Sequence, residues 1–173
     1  MKNSKMIALS AVCTAFASIC VAVGNIVPML DYTMFLSASL FVMTPVIAGS
    51  YKGGILSGIA SVLIGVMISP NFVVVVPYVV FFAPYAILLC FCEDEKRNLN
   101  KIVALVVKTV YFVAVEIVMW KYANFFADFD SLGIPIPVLI ILGLAVIFVF
   151  DFLMKRIRLQ LKYQLWRVLK IGQ

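Results

Sequence analysis

Six apolar stretches dominate this sequence, and each is about as long as a helix that crosses a lipid bilayer. A crossing helix needs about 20 predominantly apolar residues, and the chain meets this requirement at 6–27, 34–50, 53–69, 73–92, 101–121 and 135–155. The mean hydropathy of +1.14 and the 13% share of charged residues also lie far from the values of soluble domains. The sequence therefore predicts an all-α polytopic membrane protein with one six-helix transmembrane domain over residues 1–155.

The distribution of lysine and arginine predicts the orientation of the six helices. If the N-terminus is cytoplasmic, all of the 14 basic residues except Lys121 fall on or towards the cytoplasmic side, as the positive-inside rule expects. Both termini are then cytoplasmic. Residues 156–173 form a basic tail in which apolar residues recur at helical spacing, so we expect an amphipathic helix at the membrane surface. This tail could dock a partner protein, but the spacing favours an anchor on anionic membrane lipids.

The residue types exclude most enzymatic chemistry. The chain has no histidine, and its four cysteines lie in or beside apolar stretches. It also lacks the glycine-rich phosphate loops and the nucleophile motifs of common enzyme classes. No basic patch with interleaved aromatic residues occurs outside the membrane boundary. The sequence predicts that the chain is not an enzyme, uses no cofactor or metal ion, and binds no nucleic acid.

Polar residues inside or beside the apolar stretches are candidates for a binding site, because their burial in a bilayer is costly. The predicted topology places one such group near the outer side, where it would suit a small, planar, polar molecule. Its members are Asn25, Asp31, Asn71, Tyr78, Glu116, Trp120 and Lys121. An interfacial belt of aromatic residues with incidental polar neighbours is the alternative interpretation. Asp151, by contrast, lies four residues before Lys155 and is expected to form a local ion pair.

Small residues line one face of the first predicted helix and one face of the third. On the first they are Ala8, Ala11, Ala15, Ser18 and Ala22; on the third they are Ser50, Gly54, Gly58, Ser61 and Gly65. Such faces let helices approach closely in a bilayer, where burial of apolar surface gives no drive for association. Spacing alone allows each face either to pack within its own bundle or to receive a partner helix. The first face is the candidate partner-docking surface, and the third is the candidate helix-packing surface.

The chain resembles the substrate-binding S component of energy-coupling factor (ECF) vitamin transporters. The resemblance rests on six short spans, a size of 19.2 kDa, two cytoplasmic ends and the AxxxA motif formed by Ala11 and Ala15. The stretch SPNFVVVVPYVVFFAPYAILL is also similar to small S-component-like proteins of Gram-positive bacteria. The resemblance implies an S-component-like bundle, in which the alanine motif docks on a transmembrane T component that a pair of ATPases drives.

The resemblance further implies a multi-pass protein of the bacterial cell membrane that imports a vitamin-like small molecule. Its ligand would lie towards the outer side, where Asn71, Glu116 and Trp120 are expected. No motif specific to riboflavin, thiamine, biotin or folate is present. The alternative is an MreD-like membrane scaffold of the cell-wall and cell-shape machinery, which has a similar size and a related membrane fold.

Overall fold

The computed structural model describes residues 2–27, 29–68, 72–94, 100–126 and 136–169. Within these ranges nearly every residue is helical and no β-strand occurs, which confirms the prediction of an all-α membrane protein. The α-helices are α1 (Lys2–Ile26), α2 (Asp31–Ile47), α3 (Tyr51–Ile68), α4 (Phe72–Pro77), α5 (Ala83–Cys92), α6 (Lys101–Phe126) and α7 (Ile136–Leu169). A short π-helical segment, Tyr78–Phe82, joins α4 and α5 into one continuous helix.

Four of the described helical segments are long and apolar enough to cross a membrane. They are Ser4–Ile26, Tyr51–Ile68, Val74–Cys92 and Ile102–Lys121. The second predicted span corresponds to the shorter apolar helix α2, which has 17 residues. The sixth falls within α7, which continues past residue 155 to Leu169 without interruption. Several long apolar helices in one chain indicate a multi-pass membrane protein.

The chain forms two compact units. The first comprises residues 1–92 together with 158–173, and the second comprises residues 93–157. In the first unit, α1 packs against both α2 and α3, and α2 also packs against α5. Its core contains large, fully buried side chains, among them Val21, Phe35, Val42, Tyr85 and Leu89. In the second unit, the buried side chains include Phe112, Val115 and Met154.

The tight connection between α2 and α3 is encoded by a glycine and a serine. Gly49 has a φ of +100°, a backbone conformation that side chains disfavour. Its N–H donates to the Val46 carbonyl at 2.9 Å, and the N–H of Ser50 donates to the Pro45 carbonyl at 2.9 Å, which is the Schellman pattern of a helix C-terminus. The hydroxyl of Ser50 then accepts the N–H of Gly53 at 3.1 Å and caps α3. Ser50 thus contributes to the C-terminus of α2 through its N–H and to the N-terminus of α3 through its hydroxyl.

The π-helical segment lies just before Pro84, and the proline explains it. The N–H of Ala83 donates to the carbonyl of Tyr78, five residues back, whereas an α-helix would use the residue four back. In a regular α-helix, Pro84 has no N–H to donate and its ring collides with the carbonyl of Val80. The wider turn relieves that collision, and it orients Tyr78 and Phe82 so that both side chains are buried.

Candidate functional site

Three alanines of α1 form an exposed stripe of small side chains. Ala8, Ala11 and Ala15 are all exposed, and their spacing places them on one face of the helix. Farther along the same face, Ser18 is buried and Ala22 is half-buried. The predicted docking surface is therefore accessible over its first three members and turns into the bundle from Ser18 onwards. We call Ala8, Ala11 and Ala15 the alanine stripe.

The small face of α3, in contrast, is buried inside the first unit. Its members with buried side chains or backbone are Gly54, Gly58, Ser61 and Gly65. A Cβ atom added at Gly54 would overlap Val46 of α2, and one added at Gly65 would overlap Val21 of α1. The α3 face thus allows three helices to pack closely, whereas the alanine stripe of α1 contributes no such contact at its exposed positions.

A groove runs between the N-terminal parts of α1 and α3 on the surface of the first unit. Its volume is about 450 Å³. The residues that line it are Met6, Ile7, Ser10, Ala11, Thr14, Ser50, Lys52, Gly53 and Leu56. A Cβ atom added at Gly53 would overlap the hydroxyl of Ser10, so the two helices touch at the floor of the groove. The groove therefore shares Ala11 with the alanine stripe.

Two of the predicted ligand residues, Asn25 and Tyr78, contact the same stretch of α3. The Nδ2 of Asn25 donates to the carbonyl of Gly65 at 3.2 Å, and the hydroxyl of Tyr78 lies 2.8 Å from the hydroxyl of Ser61. Because Ser61 and Gly65 are one helical turn apart, the structure brings these two predicted residues to one region. The Oδ1 of Asn25 is buried and has no hydrogen-bond partner in the part of the chain that the structure describes.

The ring of Tyr78 packs against Phe35 in the aromatic core of the first unit. The ring of Phe35 lies 5.5 Å from that of Tyr78 and 6.2 Å from that of Phe82, measured between centroids. All three side chains are buried. Tyr78 therefore has a structural place in the core, with its hydroxyl bonded to α3. Asn25, in contrast, keeps a buried acceptor, its Oδ1, which has no hydrogen-bond partner among the described residues.

The remaining predicted ligand residues of the first unit are Asp31 and Asn71. Asp31 is the first residue of α2 and is half-buried. At that position its carboxylate interacts favourably with the positive end of the helix dipole, which gives it a structural role whether or not a ligand binds. Asn71 lies outside the residues that the structure describes.

Glu116, Trp120 and Lys121 lie on α6 and belong to the second unit. Glu116 and Trp120 are half-buried, and Lys121 is exposed. The buried face of α6 includes Phe112 and Val115, so Glu116 stands at the edge of that face. The other predicted ligand residues that the structure describes belong to the first unit.

The structure also contains an ion-pair network that the sequence interpretation did not include as a whole. Lys108 of α6 is buried, with its Nζ 3.0 Å from Oε1 of Glu93 and 3.3 Å from Oδ1 of Asp151. Lys155 lies 2.6 Å from Oδ2 of Asp151 and 3.9 Å from Oε1 of Glu93. The pair that the four-residue spacing predicts is thus present, within a larger network that also includes Lys108 and Glu93. All four residues belong to the second unit.

One signal in the sequence could have revealed this network. Lys108 and Asp151 both lie within predicted spans, and an isolated charge in the hydrocarbon region is far more costly than a paired one. Opposite charges near the same end of two spans are therefore candidates for a pair, even when 43 residues separate them. The arrangement links α6 to α7.

Reactive and metal-binding groups are scarce in the described part of the chain. Within it, no group of three or more His, Cys, Asp or Glu side chains could hold a metal ion, and Cys13, Cys20, Cys90 and Cys92 form no disulfide with one another. Comparison with protein-family models, with curated proteins and with solved structures finds no match to this chain.

Proposed function

We propose that the chain is the substrate-binding S component of an ECF-type importer in a bacterial cell membrane. It captures a vitamin-like small molecule and docks on a transmembrane T component that a pair of ATPases drives. The observation that carries the proposal is the contrast between two small faces. The face of α3 is buried within its own bundle, whereas Ala8, Ala11 and Ala15 of α1 are exposed.

An exposed small face is a suitable surface for a partner helix. In a bilayer, helices associate through close packing because lipid chains are as apolar as the side chains, and small residues permit the closest approach. Large exposed side chains lie along one side of the alanine stripe, since Val12 and Phe16 are one helical turn apart and about half exposed. A partner helix that packs on the stripe therefore also gains contacts with these two side chains.

The buried end of α1 supports the ligand-binding part of the proposal. Asn25 is 8% exposed, and its Oδ1 has no hydrogen-bond partner among the described residues. A buried acceptor left without a donor costs about 1–3 kcal/mol, and a polar ligand that donates to Oδ1 would remove that cost. The other residues that the sequence predicts to bind the ligand stay predictions, and they are Asp31, Asn71, Tyr78, Glu116, Trp120 and Lys121.

The proposal is tested first by isolating the tagged chain from its native membranes in a mild detergent. We expect a multi-span membrane protein and two ATPases to co-purify. Recovery of cell-wall synthesis proteins would instead support the MreD-like scaffold. Recovery of the chain alone would contradict a stable complex with a T component.

A substitution in the alanine stripe then tests the docking surface. Ala15→Leu adds a large side chain to the alanine stripe. It should abolish both co-purification of the T component and transport, while the purified chain keeps its small molecule. Ala114→Leu is the matched control, because Ala114 is also exposed but lies on α6. If both variants transport equally well, the alanine stripe is not the docking surface.

A further inference from the structure

The length of the groove along α1 is close to the hydrocarbon thickness of one leaflet of a bilayer. Its lining on α1 runs from Met6 to Thr14, a helical rise of about 12 Å. The hydrocarbon core of a bilayer is about 30 Å thick, so each leaflet provides about half of that distance. With a volume of about 450 Å³, the groove can hold a large part of one acyl chain.

The walls and the floor of the groove are suited to a hydrocarbon chain. Ile7 and Leu56 form its walls and are 70% and 69% exposed, respectively. The floor contains hydroxyls, but each is already bonded within the protein. Ser10 donates to the carbonyl of Met6 at 2.9 Å, and Thr14 bonds the carbonyl of Ser10 at 2.7 Å. A bound acyl chain would therefore bury no unpaired hydroxyl at these positions.

One end of the groove carries a positive charge. Lys52 lines the groove and is exposed, and none of the residues that line it is acidic. Lys5 lies one turn before Leu9 on α1. It is also exposed, at the same end of the pair formed by α1 and α3 as Lys52. The groove also ends beside the first turn of α3, where the helix dipole adds a partial positive charge. This end attracts an anion, and the rest of the groove accepts an apolar chain.

We propose that the groove between α1 and α3 binds one anionic phospholipid, with its acyl chain between Ile7 and Leu56 and its phosphate at Lys52. The predicted topology places Lys52 at the cytoplasmic surface, the side on which anionic lipids provide a negative surface potential. An anionic phospholipid matches both parts of the groove, since its acyl chain suits the apolar walls and its negative headgroup suits the positive end. The inference does not depend on the proposed transport function, since it uses residues that any role of the chain would retain.

Because Ala11 belongs to both the groove and the alanine stripe, the lipid would occupy part of the surface that a partner helix approaches. A partner helix that docks on the stripe must displace the lipid or pack against it. The alternative occupant of the groove is the partner helix itself. In that case the purified chain would hold no lipid in a manner that depends on Lys52.

The test is native mass spectrometry of the purified full-length chain after delipidation, titrated with phosphatidylglycerol or with phosphatidylcholine of the same acyl chains. We expect one phosphatidylglycerol per chain to be retained with about fivefold preference, the factor that one lysine near an anionic headgroup provides. Lys52→Gln should remove this preference. Lys121→Gln, an exposed lysine on α6, should leave it unchanged.

A second variant tests the apolar part of the groove. Leu56→Ala should weaken retention of both lipids while their ratio stays the same, and Leu105→Ala, at an exposed position of α6, should change neither. Equal retention of the two lipids by the unaltered chain would overturn the proposal. So would an unchanged preference in Lys52→Gln.

Discussion

Lys108→Met should destabilise the second unit because it removes a buried base that contacts two acids. The Nζ of Lys108 lies 3.0 Å from Glu93 and 3.3 Å from Asp151, and the residue is 5% exposed. Methionine keeps the unbranched apolar stem of lysine without its charge, so packing changes little. Glu93 and Asp151 then keep Lys155 but lose the buried base that contacts both of them.

The size of the effect follows from the burial of these groups. Removal of one partner from a buried ion pair costs about 3–5 kcal/mol. The side chain of Lys155 remains 2.6 Å from Asp151, and the side chain of Glu93 is 24% exposed, so water and the second lysine reduce the penalty. We therefore expect a loss in the free energy of unfolding near the lower limit, about 3 kcal/mol.

A double variant separates the charge imbalance from lost packing. Lys108→Met combined with Glu93→Gln removes one base and one acid together and keeps the Asp151–Lys155 pair. The double variant should therefore have a higher free energy of unfolding than Lys108→Met alone. Unfolding is followed in detergent by circular dichroism during titration with a denaturing surfactant, with the exposed-lysine variant Lys121→Met as the control. If Lys108→Met and Lys121→Met unfold alike, or if the double variant is no better than the single, the network does not stabilise the fold.

Two further predictions concern the first unit. Gly54→Ala should lower the free energy of unfolding by about 1–3 kcal/mol because its methyl overlaps Val46. Gly58→Ala, whose methyl would lie 3.5 Å from Val42 in ordinary contact, should be neutral or stabilising in the same denaturation assay. Equal losses in the two variants would contradict the described packing of α3. Asn25→Leu should not lower the free energy of unfolding appreciably, because it loses one hydrogen bond between membrane helices, about 0.6 kcal/mol on average, and also removes the unpartnered Oδ1. The same variant should lose the small molecule that the unaltered chain is expected to retain, as measured by mass spectrometry. A stable variant that still carries that molecule would exclude Asn25 from the ligand site.

The positions of the helices could be predicted from the sequence because the bilayer sets their length. The apolar stretch predicted at 53–69 is the helix Tyr51–Ile68, and the one at 73–92 contains the helical segment Val74–Cys92. The same periodicity could not predict the π-helical turn at Tyr78–Phe82, because it assumes a constant 3.6 residues per turn. Pro84 was the available signal, since proline disturbs the turn that precedes it.

The fate of the two small faces could not be predicted from spacing. Both repeat small residues at intervals of three and four, yet Gly54 is buried and Ala15 is exposed. The difference is decided by which neighbour, such as Val46, lies opposite each helix, and that information is distributed over the rest of the chain. Spacing did predict the Asp151–Lys155 pair, because both partners lie on adjacent turns of one helix.

The π-helical segment has a consequence for how the fourth predicted span tolerates insertions and deletions. A turn closed by a hydrogen bond to the fifth residue back holds one residue more than an α-helical turn. Deletion of one residue from Tyr78–Phe82 would restore an α-helical turn and would change the direction of the side chains beyond it only slightly. Tyr85 and Leu89, now fully buried, would keep their places in the core, but the ring of Pro84 would again meet the carbonyl of the preceding turn. The extra residue of this segment therefore accommodates Pro84 without changing which faces of the following helix are buried.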